Sequence, residues 1–315
     1  MDASVLLVAL WVAFGLDHAF GEPAARWHPV VWMGRYLQAA GQRIAPLAGS
    51  VGLPDARVFA RGAAAWIAGA VVVVAIAFAL QAALQQLPAW VAGLLAGLAL
   101  KPLFAWRMLR EETAGVEQAL ADSLEAGRAR LGRLVSRDVA QLDAAAVRES
   151  AIESLAENLD DSVVAPVFWF VLLGLPGAAV YRFANTADAM WGYRGERGGR
   201  VWEWAGKFAA RADDVLSWVP ARITALLIVI AQGGLRWRAL RAEAAGTSSP
   251  NSGWPMAAMA LALDVRLGKP GGYVLHPAAR SPGSEDGHRA QAVAARAVWI
   301  LLVLASGAIF LGGLR

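Results

Sequence analysis

The feature that most constrains this chain is Ala63–Leu84, a stretch of 22 residues with no charged side chain. A helix needs about 17–25 predominantly apolar residues to cross a bilayer, whereas a buried strand or core helix of a soluble domain is much shorter. Five more apolar runs accompany it: Ala3–Leu16, Ala89–Leu100, Val163–Val180, Ile223–Leu235 and Val298–Leu314. Val163–Val180 and Val298–Leu314 reach spanning length unaided. Ala89–Leu100 reaches it only if Lys101 lays its stem in lipid and lifts its ammonium to the headgroups. Hydrophobic residues make up 57% of the 315, and only 17% are charged, where soluble domains carry nearer a quarter. Many of the 14 tryptophans flank the runs, as an interfacial belt does.

Other classes fall away on composition. The absence of cysteine excludes disulfides, thiolate nucleophiles and thiolate metal sites. The net charge of +4 comes with no basic block, so no nucleic-acid partner is implied. The first run has no basic residue before it and no small-residue cleavage site after it, so it reads as a retained short span. The reading is an all-α polytopic membrane protein, one membrane-embedded domain over 1–315, with four to six membrane-associated helices joined by helical and irregular loops.

Charged loops separate the runs. Residues 107–162 mix dense charge with apolar residues at helical spacing (Val116, Leu120, Leu124, Leu131, Leu134) and read as a cytoplasmic helical segment. Residues 181–214 and 246–290 hold most turn formers and read as irregular connections. Six spans would divide the polar motifs around Val163–Val180 between two compartments. Pro166, Gly174, Pro176 and Gly177 mark that run, and Ile223–Leu235 is too short to span, so both suit interrupted or re-entrant helices. Four true spans then leave every long loop on one face, and the basic residues of those loops place it in the cytoplasm.

Four constellations could carry chemistry. In Glu149–Asp161, the side chains of Glu149, Glu153, Glu157 and Asp160 fall within about 80° on a helix. Their repulsion is tolerated on a solvated face or relieved by a cation, and a hard ion such as Mg²⁺ takes carboxylate oxygens. In Tyr181–Arg194, Arg182, Asn185 and Asp188 share a face. In Ala209–Arg222, Arg211, Asp213, Asp214 and Arg222 bracket the start of the fifth run. The arginine forks suit phosphate or carboxylate, or else an Arg–Asp network that orients loops. Pro220 is expected to break the helix just before Arg222 and turn both guanidiniums towards one pocket. Finally, Ser249–Pro255 is a turn whose Ser249, Asn251 and Ser252 can offer donors to an anion, or in which Ser252 simply caps the next helix. His28, before Pro29, is a lone histidine. No phosphate-loop, zinc-protease or nucleophile-elbow motif occurs. Residue patterns alone name no reaction.

These motifs resemble the adenosylcobinamide-phosphate synthase family, the cobalamin-biosynthesis membrane proteins CbiB and CobD. The resemblance runs through Asp17 with Gly21-Glu22-Pro23, His28-Pro29-Val30, Ser136-Arg137-Asp138 and Glu153-Ser154-Leu155-Ala156-Glu157-Asn158 through Asp161. It continues through Tyr181-Arg182, Asn185-Thr186, Asp188, Ala210-Arg211, Asp213-Asp214, Pro220-Ala221-Arg222 and Ser249 to Pro255. Residues 270–290 match poorly.

The resemblance implies an amide-forming ligase in a bacterial inner membrane, its active site facing the cytoplasm. It joins adenosylcobyric acid, a corrinoid, to (R)-1-aminopropan-2-ol O-phosphate or the free amino alcohol, with ATP and Mg²⁺. On that basis Glu153, Glu157, Asn158, Asn185 and Asp188 are catalytic, Asn185 and Asp188 orienting the amine. Glu153, Glu157, Asp160 and Asp161, with Asp213 and Asp214, hold Mg²⁺. Arg182, Arg211, Arg222, His28, Ser249, Asn251 and Ser252 bind phosphate or corrin carboxylate, and Trp191 and Trp254 offer the corrin a contact surface. Lipid is the obligate surrounding. Self-association, or contact with other late-pathway membrane enzymes, is left open. The alternatives are a membrane sensor or regulator like AmpE, and a transporter.

Overall fold

The structure is a computed structural model that describes residues 1–49, 54–234 and 237–314. It is 74% helical with almost no strand, in line with the all-α reading. The helices are α1 (Ala3–Phe20), α2 (Pro29–Ile44), α3 (Asp55–Leu84), α4 (Ala89–Leu100), α5 (Trp106–Asp122), α6 (Leu124–Leu131) and α7 (Ala144–Leu159). They continue as α8 (Ala165–Leu173), α9 (Leu175–Trp191), α10 (Lys207–Leu216), α11 (Trp218–Gln232), α12 (Trp237–Ala244), α13 (Gly253–Leu263) and α14 (Ser284–Gly312). Four helical stretches are long and apolar enough to cross a membrane: Ala3–Phe20, Asp55–Leu84, Ala89–Asp122 and Ser284–Gly312. A fifth qualifies only if α10 and α11, interrupted at Ser217, are taken together. These helices fit a multi-pass membrane protein. On α3, Val71, Val72, Ile76 and Phe78 are 56–65% exposed, which water would penalise and lipid would not.

Where one domain was read from sequence, the chain resolves into two compact units, each discontinuous. The first comprises Met1–Phe104, Pro166–Leu216 and Ala308–Arg315; the second comprises Ala105–Ala165 and Ser217–Gly307. Two of the four crossings, Ala165–Pro166 and Gly307–Ala308, fall inside α8 and α14, and the other two in breaks of one or two residues, so no linker composition marks the boundary.

In the first unit, α1 and α4 pack closely because Gly93 and Gly97, four apart, present a flat face. A Cβ at either would fall 2.6–2.7 Å from Val8 or Val12, the small-residue seam that lets membrane helices approach. Lys101 does not reach for headgroups. It is buried, with Nζ 3.0 Å from Asp17 and 2.8 Å from Glu22, because a paired ammonium costs less inside protein than an unpaired one. The run Val163–Val180 is not one span either. Gly174, at φ +70°, separates α8 from α9. The Gln81 side chain accepts from Leu175 N at 3.0 Å, and a Cβ at Gly174 would lie 2.2 Å from that same oxygen. Trp191 is core, 1% exposed, donating to Leu37 O at 3.1 Å and stacked on Trp202; it offers no surface to a ligand. Residues 181–214 are largely helix, with only a two-stranded ribbon, β1 (Glu196–Arg197) and β2 (Arg200–Val201), between α9 and α10.

In the second unit, segment 107–162 forms three helices instead of one. Val116, Leu131, Leu142, Val147 and Ala151 make its core, with Leu120, Leu124 and Leu134 against it, so the apolar spacing read from sequence is the packed face. After α7, residues Asp160–Val164 form a single π-turn, and Ser162 O accepts from Ala105 N at 2.9 Å. Such turns recur at functional sites. Residues 246–290 are less irregular than expected. They hold α13, buried almost throughout, and an antiparallel hairpin of β3 (Leu267–Lys269) and β4 (Tyr273–Leu275). The break between α10 and α11 falls at Ser217, before Pro220, which sits in the first turn of α11, where a missing N–H disturbs no helical bond. Leu235, the end of the fifth apolar run, lies outside the described residues.

Candidate functional site

The acidic stripe of α7 is not a solvated face. Glu149, Glu153 and Asp160 are buried, while Glu157, Asn158 and Asp161 are half-buried. Each buried acid has a long-range partner. Arg266 places Nε and Nη2 at 3.2 and 3.0 Å from Glu149 Oε1. Arg137 Nη2 stands 3.5 Å from Glu153 Oε2 and also donates to Ser150 Oγ. Thr224 Oγ donates to Asp160 Oδ1 at 2.8 Å. Burial pushes the Glu153 carboxyl up to about 7, with Glu149's charge adding to it and Arg137 and the Tyr273 hydroxyl opposing. Burial, then the neighbouring Asp161, also raises Asp160 well above the usual carboxylate range. Tyr273 is raised in turn, by burial and then by Glu153 and Glu157.

Two clefts flank the β3–β4 hairpin. The larger, about 530 Å³, is lined by Glu149, Arg266, Lys269, the Pro270-Gly271-Gly272 turn and Tyr273. The smaller, about 270 Å³, is lined by Arg137, Glu153, Glu157, Asn158, Lys269 and Tyr273. Asn158, which lines the smaller cleft, donates to Ser154 O one turn back at 2.9 Å. Gly268 allows the hairpin its approach to α7: a Cβ there would come 3.1 Å from Glu149 Oε2.

The Ser249–Pro255 turn is built on a different hydroxyl from the one expected. Ser252 occupies the cap position of α13 but makes no side-chain cap bond. Ser249 Oγ instead accepts from the backbone N–H of Asn251 and of Ser252, both at 3.2 Å. Arg222 clips this turn to α11. Its Nη1 donates to Trp218 O (2.7 Å) and Asn251 Oδ1 (2.8 Å), and Nη2 to Pro250 O (3.1 Å). The guanidinium lies between the rings of Trp218 and Trp254, 4.4 and 4.9 Å from their centroids. The fork that sequence offered to phosphate is thus largely engaged with the chain itself.

The remaining sequence candidates lie in the first unit. Arg182 Nη1 donates weakly to Asn185 Oδ1, at 3.4 Å, on α9, and Asp188, a turn further on, folds its carboxylate over Gly192. Arg211, Asp213 and Asp214 are on α10 of the first unit, whereas Arg222 is on α11 of the second. His28 caps α2, its Nδ1 accepting from Val30 N at 3.3 Å, while Nε2 meets Glu22 at 3.0 Å. Burial would raise the Glu22 carboxyl, but the hydrogen bonds from His28 and Lys101 outweigh it and hold the group below its usual value.

The family model described as CobD/Cbib protein matches residues 10–302. The chain belongs to the CobD/CbiB family. It is 42% identical over 287 residues to the probable cobalamin biosynthesis protein CobD of Pyrococcus abyssi, covering 90% of each chain. It is 40% identical over 315 residues to the cobalamin biosynthesis protein CobD of Chromobacterium violaceum, covering 96% of each. The Rhodobacter capsulatus protein of that name is 38% identical over 274 residues, covering 82% of this chain and 81% of its own. No solved structure matches. Membership of the CobD/CbiB family supports a role in cobalamin biosynthesis.

Among the described residues no three His, Asp or Glu side chains are grouped to hold a metal ion. Mg²⁺, however, commonly takes one or two carboxylates and completes its shell with phosphate oxygens and water. Glu157 and Asp161 are half-exposed and suit that mode. Asp160, raised towards its neutral form, and Glu153, facing Arg137, suit it less. Sequence reasoning passed over Tyr273, met Arg266 only within the matching stretch Val265-Arg266-Leu267-Gly268, and met Lys269 only as a lysine without a phosphate-loop context. It noted Arg137 only within a matching tripeptide.

Proposed function

We propose that the chain is an adenosylcobinamide-phosphate synthase, condensing a propionate carboxyl of adenosylcobyric acid with the amine of 1-aminopropan-2-ol O-phosphate at a cytoplasm-facing site of an inner membrane. The observation that carries this reading is a buried carboxylate poised near neutrality, Glu153, lining the smaller of the two clefts in a chain of this family. Bound ATP and Mg²⁺ would supply the phosphoryl activation that an unreactive carboxylate needs before it can acylate an amine. Glu157 and Asp161 are the ligands we assign to the ion. Arg266 and the Gly271-Gly272 backbone, on the larger cleft, are the groups we assign to nucleotide phosphates.

An amine reaches this site as an ammonium and must shed a proton to become a nucleophile. A base is most effective when its pKa lies near the working pH, and Glu153 at about 7 meets that condition. Arg137 and Tyr273 hold the Glu153 carboxylate in place. Burial of that carboxyl excludes the water that would hydrolyse an activated acyl group. The test is conversion of adenosylcobyric acid by the purified protein in detergent, with aminopropanol phosphate and with or without ATP and Mg²⁺, read by mass spectrometry. An ATP-dependent product of the amide mass is expected. Absence of product under all conditions refutes the assignment.

A further inference from the structure

Within the second unit, the outer face of α11 carries Trp218, Val219, Leu226 and Ile230, each 40–57% exposed. A helix of 15 residues is about 22 Å long, short of the roughly 30 Å hydrocarbon core, so α11 alone does not cross a bilayer. Its one ionisable side chain, Arg222, is covered on both faces by Trp218 and Trp254. Trp254 continues the row to Trp237 in the first turn of α12, their ring centroids 5.7 Å apart. Indoles so placed, apolar in body and polar at one edge, settle at the headgroup level of a membrane.

The two faces of α12 are unlike. Leu240 and Ala244 are buried. Glu243, the helix's one acid, is half-buried and accepts from the His276 main-chain N–H at 2.7 Å. The opposite face holds Trp237, Arg238, Arg241 and Ala242, all exposed. Among the described residues neither arginine is in an ion pair. Water would satisfy the two guanidiniums but not the indoles and the apolar stripe of α11 beside them. An acidic soluble partner would answer the charges and leave the stripe wet. Anionic headgroups above acyl chains answer both, because guanidinium forks match phosphate oxygens and the chains cover apolar surface. We propose that α11 and α12 form an interfacial anchor for the second unit. Arg238 and Arg241 bind the phosphates of anionic glycerophospholipids, and the α11 stripe lies in the acyl region beneath. The anchor is independent of the reaction assigned above, and the two are tested apart.

The chain has no cysteine, so Ala242→Cys gives one site for a fluorophore on the exposed face of α12. The labelled full-length protein is reconstituted in phosphatidylcholine bilayers that contain a nitroxide lipid, the nitroxide near the top of one acyl chain. The nitroxide lipid is either phosphatidylglycerol or phosphatidylcholine, and the share giving half-maximal quenching is read for each. One basic residue near an anionic surface is worth about fivefold in partitioning, so phosphatidylglycerol should quench at a share at least about fivefold lower. Molar salt should shrink that preference. Arg238→Gln combined with Arg241→Gln should abolish it and leave quenching by phosphatidylcholine in place, since the tryptophans and α11 still hold the helix at the surface. Lysine at both positions should retain most of it. Equal quenching by the two lipids overturns the proposal, and this comparison needs no arginine variant to fold. Absence of quenching by either lipid overturns it as well, because α12 then faces water and a soluble partner. Loss of the preference when glycerol phosphate is added in excess also overturns it, and makes the arginines a site for free phosphate.

Discussion

The two units each bury a cluster of charge, and they bury it differently. In the first, Lys101 is shared between Asp17 and Glu22, and His28 closes on Glu22, every contact at 3.0 Å or less. In the second, Glu153 meets Arg137 at 3.5 Å, keeps an oxygen without a partner, and is pushed towards neutrality. Both clusters set cationic side chains against carboxylates. The difference is closure. Charges answered at short range are insensitive to small molecules and hold helices together, whereas loosely answered ones beside a cavity keep free energy available for binding a ligand. The first cluster therefore reads as scaffold and the second as site.

The largest effect should come from breaking the closed cluster. Lys101→Met strands the buried Asp17 carboxylate and takes one partner from the part-buried Glu22, and removing one partner of a buried pair typically costs about 3–5 kcal/mol. Most of the protein should be lost from the folded, detergent-extractable fraction. Turnover per folded molecule should stay near normal. Neutralising all three positions together (Lys101→Met with Asp17→Asn and Glu22→Gln) should recover much of the yield. A Lys101→Met protein that folds well and has no activity would move this cluster from scaffold to site.

At the open cluster the order reverses. Glu157→Gln and Asp161→Asn should leave yield unchanged, because both side chains are half-exposed, and should lower synthesis at least about 100-fold, or roughly 2.7 kcal/mol of transition-state stabilisation. Raising Mg²⁺ should rescue part of the loss if these residues hold the ion. Full turnover by Glu157→Gln would remove it from the site.

Glu153 provides a pH signature that no scaffold acid would share. Its carboxyl is pushed up to about 7 in the folded chain, above the ordinary 4.5. Between those limits the folded state keeps a proton that the unfolded state releases, so stability falls as pH rises from about 4.5 to 7, and the full cost is present above that. Burial sets this pKa, with Arg137 and the Tyr273 hydroxyl opposing and the charge of Glu149 adding to it. Glu153→Gln should stabilise the protein at pH 8 by about 1–2 kcal/mol and have little effect at pH 5. The displacement itself corresponds to roughly 3 kcal/mol, less what the lost Arg137 contact contributes. A melting temperature for Glu153→Gln that tracks wild type at both pH values would show the carboxyl to be ordinary.

This contrast was only half legible in the amino-acid sequence. Apolar run length fixed the spanning helices, and 3.6-residue spacing found both the Val116–Leu131 core face and the carboxylate stripe of α7, since each is a property of one helix. What decides whether a stripe is solvated, closed or open comes from elsewhere in the chain. Lys101 meets Asp17 from 84 positions away, and Arg266 meets Glu149 from 117, separations that periodicity cannot see. The family resemblance reached β3 through Leu267-Gly268, but the turn and β4, with Tyr273, fall where it weakens, and no helical spacing marks a hairpin. Gly174 was suspected as a break, but the Gln81 oxygen that makes glycine necessary there belongs to another helix.

Arg222 sharpens the comparison most finely, because it lies in the second unit yet is bonded as tightly as the scaffold of the first. Its Nη atoms donate to two main-chain carbonyls and one side-chain amide within 2.7–3.1 Å, and two indoles cover its faces. Lysine would keep the charge but lose the planar fork and the stacking. One ammonium can replace at most part of that set, so Arg222→Lys should cost about 1–2 kcal/mol, the sum of one or two neutral hydrogen bonds. That loss should appear as reduced yield and a lower melting temperature. If the clip is structural, Asn251→Ala should cost a similar amount and the double change little more, since both sever the same link. Affinity for phosphate-bearing substrates should then be unchanged in whatever folds. A fall in that affinity at undiminished yield would instead give the guanidinium an anion to bind, and would make the second unit's site extend to the Ser249–Pro255 turn.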